Sequence, residues 1–103
     1  MLLIREIMYC KPGKVRPLVE KFLAMSKLNQ KYKIPPMKVM TDVSAERYWT
    51  VVAEMEVEDL GAFDRMMRGE GMPAEAGKEF ETIMQGYHDL VVKGRREIYK
   101  LEG

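Results

Sequence analysis

Apolar residues along this chain switch between two spacings. From Leu2 to Cys10 they follow a two-residue alternation, with Leu2, Ile4, Glu6, Met8 and Cys10 on one side and Leu3, Arg5, Ile7 and Tyr9 on the other. Both sides are largely apolar, which predicts a central strand covered on two faces. Lys11-Pro12-Gly13-Lys14 ends it, because Pro12 offers no N–H and Gly13 permits positive φ. Val15, Leu18, Val19, Phe22, Leu23 and Met25 or Ser26 then recur at three- and four-residue spacing, with Lys14, Arg16, Glu20, Lys21 and Lys27 mostly opposite. This predicts an amphipathic helix with Pro17 in its first turn, ending near Tyr32 before Ile34-Pro35-Pro36.

Met37 to Val43 alternates as a second strand, and Ser44-Ala45-Glu46 forms a turn. Arg47 to Val57 follows as a third strand, with Trp49, Val51, Ala53, Met55 and Val57 on an apolar side and Tyr48, Thr50, Val52, Glu54 and Glu56 on a mixed one. Glu58-Asp59 opens a second helix through Leu60, Phe63, Met66 and Met67. Gly69-Glu70-Gly71-Met72-Pro73 interrupts it, a natural pocket mouth or lid. From about Ala74 the helical spacing resumes through Phe80, Ile83, Met84, Tyr87, Leu90 and Val91, closed by Gly94, and Arg95 to Leu101 is the last strand.

The order is β-α-β-β-α-β, an α+β, ferredoxin-like domain over residues 1–103. A short turn makes the middle strands antiparallel, and right-handed crossovers put both helices on one face, giving strand order 4-1-3-2. The open face would then carry Tyr48, Thr50, Val52 and one alternate set of the first strand. Leaving apolar surface bare costs about 25 cal/mol per Å2, so a homodimer through the sheet face is expected.

Composition narrows the function classes. Seventeen Lys plus Arg against sixteen Asp plus Glu leave a net charge of +1, which supplies no long-range field for nucleic acid or an anionic membrane. A single cysteine, Cys10, excludes an internal disulfide and a cysteine metal cluster, and fits a reducing, cytoplasmic setting. Met1-Leu2-Leu3-Ile4 meets Arg5-Glu6 too soon for a signal peptide or a membrane span. No Walker loop, dinucleotide fingerprint or Cys-x-x-Cys is present, and the adjacent aromatics Tyr48 and Trp49 point to opposite faces, unlike an RNA-binding platform.

Two stretches carry a resemblance. Tyr9-Cys10-Lys11-Pro12-Gly13-Lys14 is similar to the strand-KPGK-helix opening of the dimeric α+β-barrel superfamily, which includes NIPSNAP-like and antibiotic-biosynthesis-monooxygenase-like proteins. Gly94-Arg95-Arg96-Glu97-Ile98-Tyr99 resembles their closing strand. The resemblance implies a ferredoxin-like protomer whose sheet packs against a partner's to form a shared barrel. Some haem-degrading members use a histidine on the second helix with an asparagine on the first strand. Here the first strand has no Asn and His88 falls later in the chain, so no cofactor is expected.

Candidate chemistry is sparse. His88, the only histidine, and Glu54 and Tyr48 are the candidate catalytic groups, each with a plainer role: a helix-end surface histidine, a cross-strand ion pair, a lining aromatic. Glu6, Glu54 and Glu97 lie among Arg5, Arg95 and Arg96, as buried bases or, more simply, as sheet-edge ion pairs. Tyr48, Thr50, Val52, Glu54 and Tyr99 are the candidate pocket residues, and Trp49 is expected as a core or barrel anchor. Met37 and Met40 would face opposite ways on a strand, so they make no metal site. Ten methionines fit adaptable packing or a malleable apolar pocket, and Cys10 a small buried hydrophobe. The expectation is a homodimer that binds a small, largely apolar molecule between helices and sheet, or that has no enzymatic activity. The alternative is a monooxygenase-like enzyme, cofactor-free or haem-dependent.

Overall fold

The computed structural model describes residues 1–103. Strand β1 (Leu2–Cys10) leads to helix α1 (Val15–Lys31), then β2 (Lys38–Thr41), β3 (Thr50–Val57), α2 (Leu60–Met67), α3 (Ala74–Met84), a 3-10 turn (Tyr87–Asp89) and β4 (Val91–Lys100). The four strands form one antiparallel sheet in the order β2-β3-β1-β4, the expected order read from its other edge. No helix is long and apolar enough to cross a membrane.

Register decides which alternate set meets the helices. Ile4 pairs with Met55 and Ile98, Glu6 with Ala53 and Arg96, and Met8 with Val51 and Gly94, so these residues share one face. Leu18, Val19 and Phe22 of α1 pack on it against Cys10, Val51 and Ala53. A smaller cluster of Ile4, Val57 and Phe63 seats α2. Arg5, Ile7, Tyr9, Thr50, Val52, Glu54, Arg95, Glu97 and Tyr99 make up the other face, which no helix covers.

Helix α1 ends as the prolines predict, with Tyr32 as C-cap and Lys33 at φ 60. Ser26 then fastens the return, its Oγ donating to Met37 O at 3.1 Å and accepting from Met37 N at 3.0 Å. At α2, Asp59 Oδ1 accepts from Ala62 N at 2.7 Å, so one residue serves as cap and as negative charge at the helix start.

The boundaries of β2, β3, α3 and β4 differ from the expectation, β4 starting at Val91 instead of Arg95. The second and third strands are shorter, because the chain between them turns through Trp49 at φ 57 while Asp42 Oδ1 accepts from Thr50 N at 2.8 Å. Trp49 therefore stands outside the strand, 46% exposed in the single chain, and anchors no core. Helix α3 stops at Met84, with Gly86 at φ 80 making the turn, so Gly94 closes no helix and lies inside β4. There a Cβ would stand 2.5 Å from Met8 Sδ, which gives that glycine a packing reason. His88 sits in the 3-10 turn instead of a helix end, its exposed ring 4.0 Å from that of Tyr87.

Candidate functional site

The break at 69–73 splits what could have been one long helix, and the second piece leans on α1, not on the sheet. Lys21 Nζ donates to Ile83 O at 3.0 Å and Gln85 O at 2.8 Å, holding the last carbonyls of α3. Midway along α3, Glu79 accepts from the Tyr32 hydroxyl at the end of α1, with Lys31 Nζ 3.3 Å away. The Tyr32 bond holds the Glu79 carboxyl below its ordinary pKa, with Lys31 assisting and partial burial opposing. The same bond raises Tyr32, and Glu79 raises Lys31. Because α3 is stood off in this way, a cavity of about 700 Å3 remains between it, α1, α2 and the helix-side face of the sheet.

Methionine dominates its wall. Met8, Met25, Met37, Met55, Met66, Met67, Met72 and Met84 all line it, eight of the ten in the chain, together with Phe22, Phe63 and Phe80. Thioether side chains are unbranched and polarizable, so such a wall adjusts to the shape of an apolar occupant. Met67 to Gly69 and Met72 to Ala74 border the space, which puts the glycine-rich break at its edge. Polar side chains are few. Glu6 and Arg96 meet across the β1–β4 pairing in an ion pair, with the guanidinium 5.0 Å from the centre of the Phe63 ring. Asn29 is buried and its Nδ2 donates to Pro35 O at 3.2 Å. Arg68 and Tyr87 complete the polar set.

Of the charged residues singled out in the sequence, Glu6 and Arg96 reach the cavity wall, whereas the candidate catalytic and pocket residues lie elsewhere. Thr50, Val52, Glu54 and Tyr99 occupy the sheet face turned away from the cavity, and Tyr48 is 81% exposed in the loop before β3. Thr50 Oγ1 is spent on Arg47 O at 2.8 Å. Glu54 Oε2 lies 2.8 Å from Arg5 Nε, but that N–H is not aimed at it and remains a buried donor without a hydrogen bond. Around them runs a network of ion pairs: Glu97 meets Arg95 at 3.0 Å and Arg5 at 3.5 Å and accepts from Tyr99, while Arg95 Nη1 donates to Tyr9 at 2.7 Å. His88 is outside the cavity as well. Cys10 is buried as expected, and burial pushes its thiol pKa up, away from nucleophilic use. Alternation alone yields two side-chain sets without saying which meets the helices. The methionine count, read from the sequence as adaptable packing or a malleable apolar pocket, carried part of the signal, and the position of Glu6 inside an otherwise apolar set was the part missed.

No protein-family model and no curated protein matches the sequence. Solved structures do match. A NIPSNAP-like domain protein from Burkholderia xenovorans superimposes with a TM-score of 0.71 at 16% identity, covering 98% of this chain and 85% of that one. A NIPSNAP family protein from Agrobacterium tumefaciens gives 0.70 at 9% identity, covering 96% and 90%. A putative antibiotic biosynthesis monooxygenase from Deinococcus radiodurans gives 0.65 at 8% identity, covering 100% and 94%. Likeness at such low identity speaks to architecture, and the chain has the ferredoxin-like α+β fold that NIPSNAP-like and antibiotic-biosynthesis-monooxygenase-like proteins share.

Proposed function

We propose that this protein binds a small, predominantly apolar molecule in the methionine-lined cavity between its helices and its sheet. The convergence of eight of ten methionines on one space carries the reading. Water or a ligand fills that space, and an apolar wall favours the ligand. Titration with the fluorophore N-phenyl-1-naphthylamine tests this. Saturable enhancement at one site per chain is expected, and a linear, unsaturable response removes the proposal.

Self-association through the open sheet face belongs to the same reading. The single chain exposes 6976 Å2, about 1,000 Å2 more than the ~6,000 Å2 typical of a 12.0 kDa monomer. That excess is close to one partner's share of a standard interface, about 800 Å2. Sedimentation at micromolar concentration should give about twice 12.0 kDa. A cytoplasmic location accords with the single buried thiol. A monooxygenase activity draws support only from the fold shared with the Deinococcus protein. Glu6, the one carboxylate on the cavity wall, is engaged by Arg96, so it is not free to act as a base.

A further inference from the structure

Building on the cavity reading above, we infer that the occupant is a single aliphatic chain ending in a carboxylate, the chain lying over Ile4 to Met8 and the carboxylate meeting Arg68.

Hydrogen-bonding capacity on the wall argues for the chain. Arg96 Nε donates to Glu6 and one Asn29 amide N–H donates to Pro35, which leaves only scattered polar groups, Tyr87 among them, on a wall that is mostly methionine and phenylalanine. A molecule carrying several hydroxyl or carbonyl groups would bury them with few partners, each at a desolvation cost, whereas a hydrocarbon buries none. Flexible thioethers also suit a flexible chain better than a rigid polar ring system. Ile4 to Met8 on the cavity floor spans about 13 Å at 3.3 Å per residue. Carbon–carbon bonds of about 1.5 Å advance an extended chain by roughly 1.25 Å each, so about ten of them cover that length.

Charge argues for the head group. Three charged side chains line the cavity: Glu6, Arg68 and Arg96. Glu6 and Arg96 neutralise one another on the wall. Arg68, at the cavity edge, pairs instead with Asp64 at 3.1 Å and Glu70 at 3.0 Å, neither of which lines the cavity, and all three side chains are more than half exposed. Exposed pairs of this kind exchange at little cost, and a guanidinium receives a carboxylate in a two-point fork. Arg68 is thus the one wall cation whose present partners a ligand can replace without stranding a carboxylate inside the cavity.

Calorimetric titration of the full chain with octanoate, decanoate, dodecanoate, 1-decanol and the polyhydroxylated aromatic quercetin tests both halves. Affinity should rise about fourfold per added methylene, the equivalent of ~0.8 kcal/mol each. Decanoate should bind at least fivefold tighter than 1-decanol, and Arg68→Gln should erase that difference while leaving 1-decanol unchanged. Equal binding of decanoate and 1-decanol, with Arg68→Gln silent, overturns the head-group assignment. Quercetin binding more tightly than decanoate overturns the chain. If N-phenyl-1-naphthylamine saturates one site yet no alkyl compound binds, this inference fails and the cavity reading survives; if the fluorophore does not saturate either, both fall.

Discussion

Replacing Gly77 should make the protein more stable and its cavity less useful. Gly77 is the fourth residue of α3, lines the cavity, and would bring a Cβ within 4 Å of nothing. Its backbone is helical, so alanine fits without strain, and the helix gains roughly 0.5–1 kcal/mol from the smaller entropy loss on folding. For a domain of this size that raises Tm by roughly 2–8 °C. Leucine has nearly the helix propensity of alanine, so Gly77→Leu should keep most of the gain while directing four carbons into the space a ligand needs. Thermal unfolding followed by circular dichroism reads the first effect, and N-phenyl-1-naphthylamine titration the second, with a tenfold or greater loss of affinity expected for leucine. Stability rising while binding falls is the signature of a position kept small for function. A lower Tm for Gly77→Ala, or unchanged probe affinity in Gly77→Leu, would refute the reasoning.

Asp59→Ala removes the cap of α2 and should cost about 1 kcal/mol in urea unfolding, with no change in the slope of the transition. Gly94→Ala should displace the Met8 side chain, whose flexible end has the cavity to move into, so stability should stay within about 1 kcal/mol while the Met8 methyl resonance shifts. The contact between α1 and α3 should make stability pH-dependent on both sides of neutrality. Glu79 has a lowered folded pKa, so its contribution is present above the usual carboxylate value near 4.3 and disappears as pH falls through the depressed one. Tyr32 and Lys31 have raised folded values, so their contributions are present below about pH 10 and disappear as pH rises through the raised ones. Urea midpoints measured from about pH 3 to 11 should fall less steeply at both ends in Glu79→Gln than in the parent; parallel profiles would show that the contact does not contribute.

Much of the fold was legible because its punctuation is strong. Pro12-Gly13 and Pro35-Pro36 mark the ends of β1 and α1 with residues that cannot continue either element. The passage from α3 to β4 was not, since Tyr87, Leu90 and Val91 satisfy a helical spacing as well as they approach a strand. Two glycines competed to end the helix. Gly86 does so by adopting φ 80, whereas Gly94 is required for the close approach of Met8, a contact between distant residues that no local pattern reveals. Trp49 likewise fits the strand alternation perfectly well in sequence and leaves it only through its positive φ. For the site, the general location between sheet and helices and the break at 69–73 could be read, but the named residues could not. Once β1 is apolar on both sides, the choice of inward face depends on the tertiary packing of α1 against Val51 and Ala53.

The most direct test of a methionine-walled binding cavity is methyl NMR on protein carrying carbon-13 at the methionine methyl groups, titrated with N-phenyl-1-naphthylamine. The eight cavity methionines should shift together as one site fills, while Met1 and Met40, which lie outside the cavity, stay still. Saturating binding that moves Met40 on the open sheet face and leaves the eight unmoved would contradict the account.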